Sequence, residues 1–457
     1  MVLSVPASGS NPICGVGVLS GSSIQTWSNK QRILIVVDAA GPGAEYVIEC
    51  RKLYPDVKVI HVQVGDKMPP GLSGYEPSRY DANLVYDGSN LAFFLKLFDR
   101  FNKNGVRVLA GCEPGVAAAD LIASALRVMG NKVDKALSRT DKELLAEYVG
   151  PLFKDAPNLR VIPGKSFRNS TDAIAYLSNQ SWRYPLVLKP TESAGNHGFH
   201  FINSVSQLPG VFNELIGTED PLGKVVDKLL IQPRIEGTVV AVNTTYHPQL
   251  GVYHNDMWRT RVKFTDTGVA FLRTRIARFN PQDPQHLQLM QATAFTAQGL
   301  GVEFGPMHPE FLVTPSGIIY LMDVGVRPVG GSLAQRARAC GATDHIHATL
   351  HAAFNPERFA EIQKLGPTLD KELALLYFVN NRAGILTSVP SEEEMRRRIP
   401  GYISRNIEHM IVDKPLAVTT SLFDQPGYVV VEGNTATIDA AEAAIRDWES
   451  KDFYKFK

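Results

Sequence analysis

Residues 33–38 hold five apolar positions in a row and then Asp38, as a strand buried on both faces does, and Gly41, Pro42 and Gly43 follow as turn formers. A helical stretch at 44–53, apolar strands at 57–62 and 106–111, and a helix at 116–129 repeat the strand, turn, helix order. That order predicts a doubly wound parallel sheet over about residues 31–135. From 138 to 232 the pattern reads helix, strand, helix, a short apolar strand ending in Lys189, a small-residue loop and a strand at 228–232. Alternation at 239–246 and 252–263 predicts antiparallel strands. Helical spacing returns at 286–299, and strands at 310–314 and 318–324 flank the turn Pro315, Ser316, Gly317. The tail offers a strand at 428–431 and a helix at 437–448 capped by Thr437 or Asp439. The chain then divides into a loosely held leader (1–30), an N-terminal α/β unit (31–135), a small middle unit (136–232) and a large C-terminal unit (233–457). The last of these ends in a subdomain of its own from about residue 370.

Composition narrows this picture. A chain of 457 residues exceeds what one core organises, so a cleft between lobes is expected. Its apolar fraction of 44% and charged fraction of 20% are those of a soluble globular protein. A net charge of +1 provides no general field for nucleic acid or an anionic membrane, so an anion must be bound locally. Cys14, Cys50, Cys112 and Cys340 lie too far apart for a zinc spacing or a disulfide framework, which points to a reducing cytoplasm. No basic residue precedes Lys30, and Pro6 and Pro12 interrupt the leader, so it does not read as a signal peptide. The longest apolar run, 33–37, is too short to span a bilayer.

Two blocks carry candidate chemistry. In the first, Lys189 ends a buried strand and Glu192, Ser193, Ala194, Gly195 and Gly198 follow. A lysine there reaches a phosphate oxygen while its stem stays packed, and the glycines let backbone N–H groups approach an anion. The plainer reading is an ordinary strand and turn. In the second, Glu310 and Asp323 stand on adjacent strands, where alternation aims both at one face, as magnesium requires. Arg327, four residues on, falls on that face beside Gly330 and Gly331, an anion-friendly turn. A salt-bridged network on a half-exposed sheet is the alternative. Glu113, in the loop after the 106–111 strand, is either a cleft wall or part of a simple helix-start turn. Arg273 and Arg275 alternate on a strand and are either substrate-carboxylate ligands or solvated. Gly41 and Gly43 lack the third glycine of a dinucleotide fingerprint. His345 and His347 turn apart on a helix and are read as surface or core histidines; Trp182, Trp258 and Trp448 are read as packing residues.

Together these pieces resemble the ATP-grasp superfamily. The likeness runs from about Ile33 to the C-terminus. It rests on the first strand ending in Asp38, Cys112-Glu113-Pro114-Gly115, Ser138-Arg139-Thr140-Asp141-Lys142, Lys189 with its glycine loop, Gln232 with Gly237, the His308–Glu310 block and the Asp323–Gly331 block. Within the superfamily it is similar to the carboxylate-amine ligases, and most to the L-amino-acid ligases that make dipeptides. The resemblance implies a doubly wound N-terminal domain, a small lid and a large C-terminal domain on antiparallel sheet. It implies ATP and magnesium, with manganese as a substitute, small-molecule carboxylate and amine substrates, no nucleic-acid or membrane partner, and a homodimer. By the same resemblance Lys142 and Lys189 hold the α- and β-phosphates, and the Ser193–Gly198 loop covers the terminal ones. Leu230, Ile231 and Gln232 line the adenine hinge, Glu310 and Asp323 carry the metal, and Arg327 with His308 stabilises the acyl phosphate. Arg261 or Lys263 either supplies a further cation to the phosphates or lies on an exposed strand face.

Three positions depart from the family pattern. Val239 stands where a ribose-binding Glu is common, so either another residue, such as Glu236, contacts the ribose or nucleotide affinity is weaker. Asp323 and Gly325 replace the usual Glu and Asn. These departures keep open a non-catalytic ATP-binding protein of the same fold, or a ligase for other substrates.

Overall fold

Ile33, Ile35 and Val37 pack with Phe94, Phe98 and Ile122, whereas Leu34 and Val36 pack with Tyr46, Val47 and Cys50. Strand alternation therefore feeds two cores, and helices cover both faces of the first sheet. The computed structural model describes residues 20–21, 24–70, 72–193, 195–265 and 268–457. In the first sheet, Ala82–Tyr86, Lys58–Val64, Ile33–Val37 and Val106–Ala110 run parallel in that order. Ser20–Gly21 adds an antiparallel edge strand to Ala82–Tyr86. The doubly wound unit expected from the pattern is present. Its helix Val116–Leu126 stops three residues short of the expected end because Arg127 turns left-handed, with φ +54°. The end of the leader is not loose: Ile24 and Trp27 are buried, and Arg100 Nη2 donates to both of their carbonyls.

A second sheet of four antiparallel strands orders Lys165–Phe167, Leu229–Pro233, Leu186–Pro190 and His200–Ile202. Leu186, Leu188, Leu229 and Ile231 face the helices Ser170–Leu177 and Leu208–Leu215, whose Ala173, Leu208 and Phe212 complete that core. The other face, carrying Val187 and Lys189, looks into a cleft.

Across the cleft lies a sheet of nine strands. Its centre is the antiparallel run Leu373–Tyr377, Gly268–Ala277, Gly251–Thr265, Thr238–His247, Gly305–Val313 and Ile319–Gly325. Leu159–Val161, from within the range expected for the middle unit, pairs in parallel with the last of these and so belongs to the large sheet. Helix His345–Phe354 joins the N-terminal sheet to the large one, since Ile346 and Leu350 share a core with Leu34 and Val36. The tail helix is Thr435–Glu449, and its cap is Asn434, whose side chain accepts from Thr437 N, rather than Thr437 or Asp439. Among the described residues no helix is long and apolar enough to cross a membrane.

Candidate active site

The cleft between the small and large sheets is a cavity of about 280 Å³. Lys189 enters from the small sheet. Its neighbours Leu188 and Pro190 point to the helices behind, so the strand's two-residue period leaves its ammonium no direction but the cleft. Burial first, and then the like charge of Lys142, push Lys189 down to about 8, against the pull of Asp323 and Glu310. No ion pair holds it among the described residues. Lys142 opens the helix Lys142–Phe153, whose cap Asp141 accepts from the N–H groups of Glu143 and Leu144. Its Nζ donates to Ser193 O at 2.9 Å and lies 3.2 Å from Asp323 Oδ2. The loop after Lys189 is left-handed at Gly195, Asn196 and Gly198. At Gly195 a Cβ would come within 2.6 Å of the Phe423 ring, and Leu422 N donates to Gly195 O at 3.0 Å, so the loop sits against the C-terminal segment. Ala194 lies outside the described residues.

Glu310 and Asp323 are direct partners on the hairpin strands, and both line the cavity. Burial acts to raise the Glu310 carboxyl, but His308, whose Nε2 lies 3.6 Å from Oε1, and the charges of Arg327 and Lys142 hold it below the usual range. Arg327 Nε donates to Glu113 Oε2 at 3.0 Å. Burial raises the Glu113 carboxyl against that arginine's pull. Glu113 is therefore a cleft wall. Gly325 has a steric reason: a Cβ there would lie 2.9 Å from Arg327 Cζ, so a larger residue would displace the guanidinium. Two opposed carboxylates facing a cleft are a donor set that fits magnesium, which takes few protein oxygens and completes its shell with water and phosphate. Among the described residues no three His, Cys, Asp or Glu side chains gather into a protein-only metal cage.

Several expected residues lie elsewhere. On Gly251–Thr265, Trp258, Thr260, Val262 and Phe264 face the cavity, which turns Arg261 and Lys263 to the opposite side. There Arg261 pairs with Glu442 of the tail helix. The same parity sends Arg273 to Asp439 and Glu442, and Arg275 to Glu372, while Thr274 between them faces the cavity. None of Arg261, Lys263, Arg273 and Arg275 lines the cavity. Glu192 pairs with Lys224 and does not line the cavity. Ile231 packs on the lid helices and Leu230 lies beneath Gly164, so the hinge wall is formed by Gln232, Pro233, Arg234 and Ile235. Glu236 points to solvent and pairs with Arg234. Gly198 shapes the loop without lining the cavity, whereas Ser193, Gly195, Gly330 and Gly331 do line it.

The cavity's apolar wall was not foreseen. Trp258, Val262, Phe271, Leu333, Tyr377 and Leu422 form it. Parity counted outward from Trp258 would have separated this wall from the arginines.

A small sheet and a large antiparallel sheet that close lysines, carboxylates and an arginine around one cleft are arranged as in the ATP-grasp fold. Comparison with known proteins agrees. No family model matches the chain. Over 432 residues, 93% of this chain and 97% of the other, it is 23% identical to dapdiamide A synthase of Enterobacter agglomerans. Its fold is similar to that of the L-amino acid ligase from Bacillus licheniformis, with a TM-score of 0.66, 14% identity, and 94% and 99% of the two chains covered. It is also similar to a carboxyaminoimidazole ribonucleotide synthase from Aspergillus clavatus solved with ATP, with a TM-score of 0.61, 14% identity, and 91% and 99% covered. These likenesses bear out the resemblance to ATP-grasp carboxylate-amine ligases, a class whose cofactors are ATP and magnesium.

Proposed function

We propose that this protein joins the carboxylate of an amino acid, or of an amino-acid-like small molecule, to an amine, with ATP converted to ADP and phosphate. A dipeptide-forming role in secondary metabolism is the form we favour, in keeping with the likeness to an L-amino acid ligase. The observation that carries the reading is the meeting of Lys189, from one sheet, with Glu310, Asp323 and Arg327, from another, in a single cavity.

A carboxylate resists attack by an amine because its carbon is electron-rich and oxide leaves poorly. Transfer of the γ-phosphoryl group to the carboxylate makes an acyl phosphate, and the amine then displaces phosphate to form the amide. Phosphoryl transfer asks a protein for positioning and charge neutralisation. Lys189 and Lys142 meet the phosphate oxygens, and the Ser193–Gly198 loop, set against the C-terminal segment, keeps water from the acyl phosphate. Glu310 and Asp323 would hold magnesium, whose charge would offset that of the phosphates. Arg327, oriented by Glu113, supports the charge that builds on the transferred group and on the tetrahedral carbon. The apolar wall from Trp258 to Tyr377 receives a substrate side chain. A reducing cytoplasm suits the buried thiols of Cys50, Cys112 and Cys340, and a homodimer follows the family likeness.

Phosphate release tests the reading. A screen of carboxylate and amine pairs should give phosphate only when both partners are present, with an amide product by mass spectrometry. Binding of ATP with no release from any pair would instead identify a non-catalytic nucleotide-binding protein.

A further inference from the structure

His308 is held from behind by a chain of buried polar groups that the reaction does not use directly. Its Nδ1 lies 2.6 Å from Asn243 Oδ1. Asn243 Nδ2 donates to Asp256 Oδ1 at 2.6 Å, and Trp258 Nε1 donates to that same oxygen at 2.6 Å. Asn243 and Asp256 are opposed on neighbouring strands, and both are buried.

The direction of this chain is fixed by its far end. An indole N–H only donates, so the Asp256 atom that meets Trp258 must be an acceptor. Asn243 turns its NH₂ toward that acceptor and leaves its carbonyl oxygen for His308. An amide oxygen only accepts, so Nδ1 of His308 carries a proton, and Nε2 is turned toward Glu310 and the cavity. Asp256 Oδ2 has no partner among the described residues. Burial pushes this carboxyl up to about 7, yet a proton on Oδ2 leaves Oδ1 an acceptor, and the polarity of the chain is unchanged.

We propose that Asp256 is a positioning residue that, through Asn243, fixes the ring orientation and tautomer of His308 and, through Trp258, ties the apolar wall of the cavity to the same point. Its effect on turnover rests on the ligase reading; its effect on the tautomer does not. The buried charge thus has a role that packing alone does not give it: Leu at 256 would fill space but would leave two donors unpaired and Asn243 free to flip.

The test combines ¹⁵N-histidine NMR with kinetics. The His308 signals are assigned by their loss in His308→Gln. They should show a proton on Nδ1 in the unmodified protein and in Asp256→Asn, which keeps an acceptor oxygen. Asp256→Leu should show the Nε2–H form or a mixture. Its kcat should fall about tenfold to 100-fold, the scale of a misplaced active-site group, while KM for ATP stays constant. Asp256→Asn should restore kcat. If Asp256→Leu does not fold by circular dichroism, Asn243→Leu gives the same readout from the middle of the chain. An Nε2–H tautomer in the unmodified protein, or a folded Asp256→Leu with unchanged tautomer and kcat, overturns the proposal. A protein with Nδ1–H on His308 that releases no phosphate from any substrate pair overturns the ligase reading and leaves this one standing.

Discussion

Two groups of cations flank the large sheet, and they differ in what faces them. Lys142, Lys189 and Arg327 point into the cleft, where Lys142 meets Asp323 and Arg327 meets Glu113, carboxylates that themselves line the cavity. Arg261, Arg273 and Arg275 point the other way and are already neutralised by Glu442, Asp439 and Glu372. In sequence the two groups read alike as basic residues near apolar strands, although only Lys189, Arg261, Arg273 and Arg275 lie on strands, while Lys142 opens a helix and Arg327 follows the end of a strand. On the strands of the large sheet a cation's availability to an anion is therefore set by strand parity and by acids far along the chain, 181 residues on for Arg261 and 166 for Arg273, not by its local motif.

The sharpest test of the comparison is Arg327. Arg327→Ala should leave nucleotide binding intact and lower kcat by about 10² to 10³, the effect of removing a donor aimed at developing charge. Full turnover in this variant would remove the cleft group's claim to be chemically distinct. Lys189→Ala follows, with nucleotide affinity expected to fall about 100-fold by calorimetry, as the loss of charge-assisted contacts implies.

Lys189 also predicts a pH dependence. Its ammonium sits near 8 in the folded chain against an ordinary 10.5. Above about 8 it is neutral when folded and still charged when unfolded, so its contribution to stability rises as pH climbs from 8 toward 10.5. Nucleotide binding needs the charged form, so affinity should fall over the same window. Titration of affinity and of urea midpoint in parallel should move in opposite directions, and Lys189→Ala should flatten both. Gly325→Asn comes next in size: it restores the residue usual in the family but crowds the Arg327 guanidinium off Glu113, and kcat should drop about tenfold with ATP affinity unchanged.

Much of this fold was legible because the relevant signals are local. The run 33–37, the glycines after Lys189 and the hairpin turn at Pro315–Gly317 each declare their element within a few residues, and Glu310 and Asp323 fall opposite each other as the alternation requires. What escaped depends on distant partners. Arg261 differs from Trp258 only by an odd count along one strand, and nothing near it names Glu442. Glu192 adjoins the phosphate loop in sequence, yet Lys224 takes it out of the cavity. In sequence Asn243 is one polar residue within a strand, and only the fold brings Asp256 and His308 to either side of it.

The smallest expected effect separates the two groups most cleanly. Arg261→Ala removes a cation that family likeness would place on the phosphates, so a nucleotide role predicts a loss of affinity comparable to that of Lys189→Ala. The geometry predicts none. Arg261 is more than half exposed, and Arg273 remains 3.3 Å from the same Glu442, so the carboxylate left behind keeps a partner. The cost should then be a partly screened ion pair, about 1 kcal/mol or less in a urea titration, with kcat and ATP affinity unchanged. A tenfold loss of ATP affinity would mean that the strand turns its other face to the cleft in the working enzyme, and the division between the two groups would fall with it.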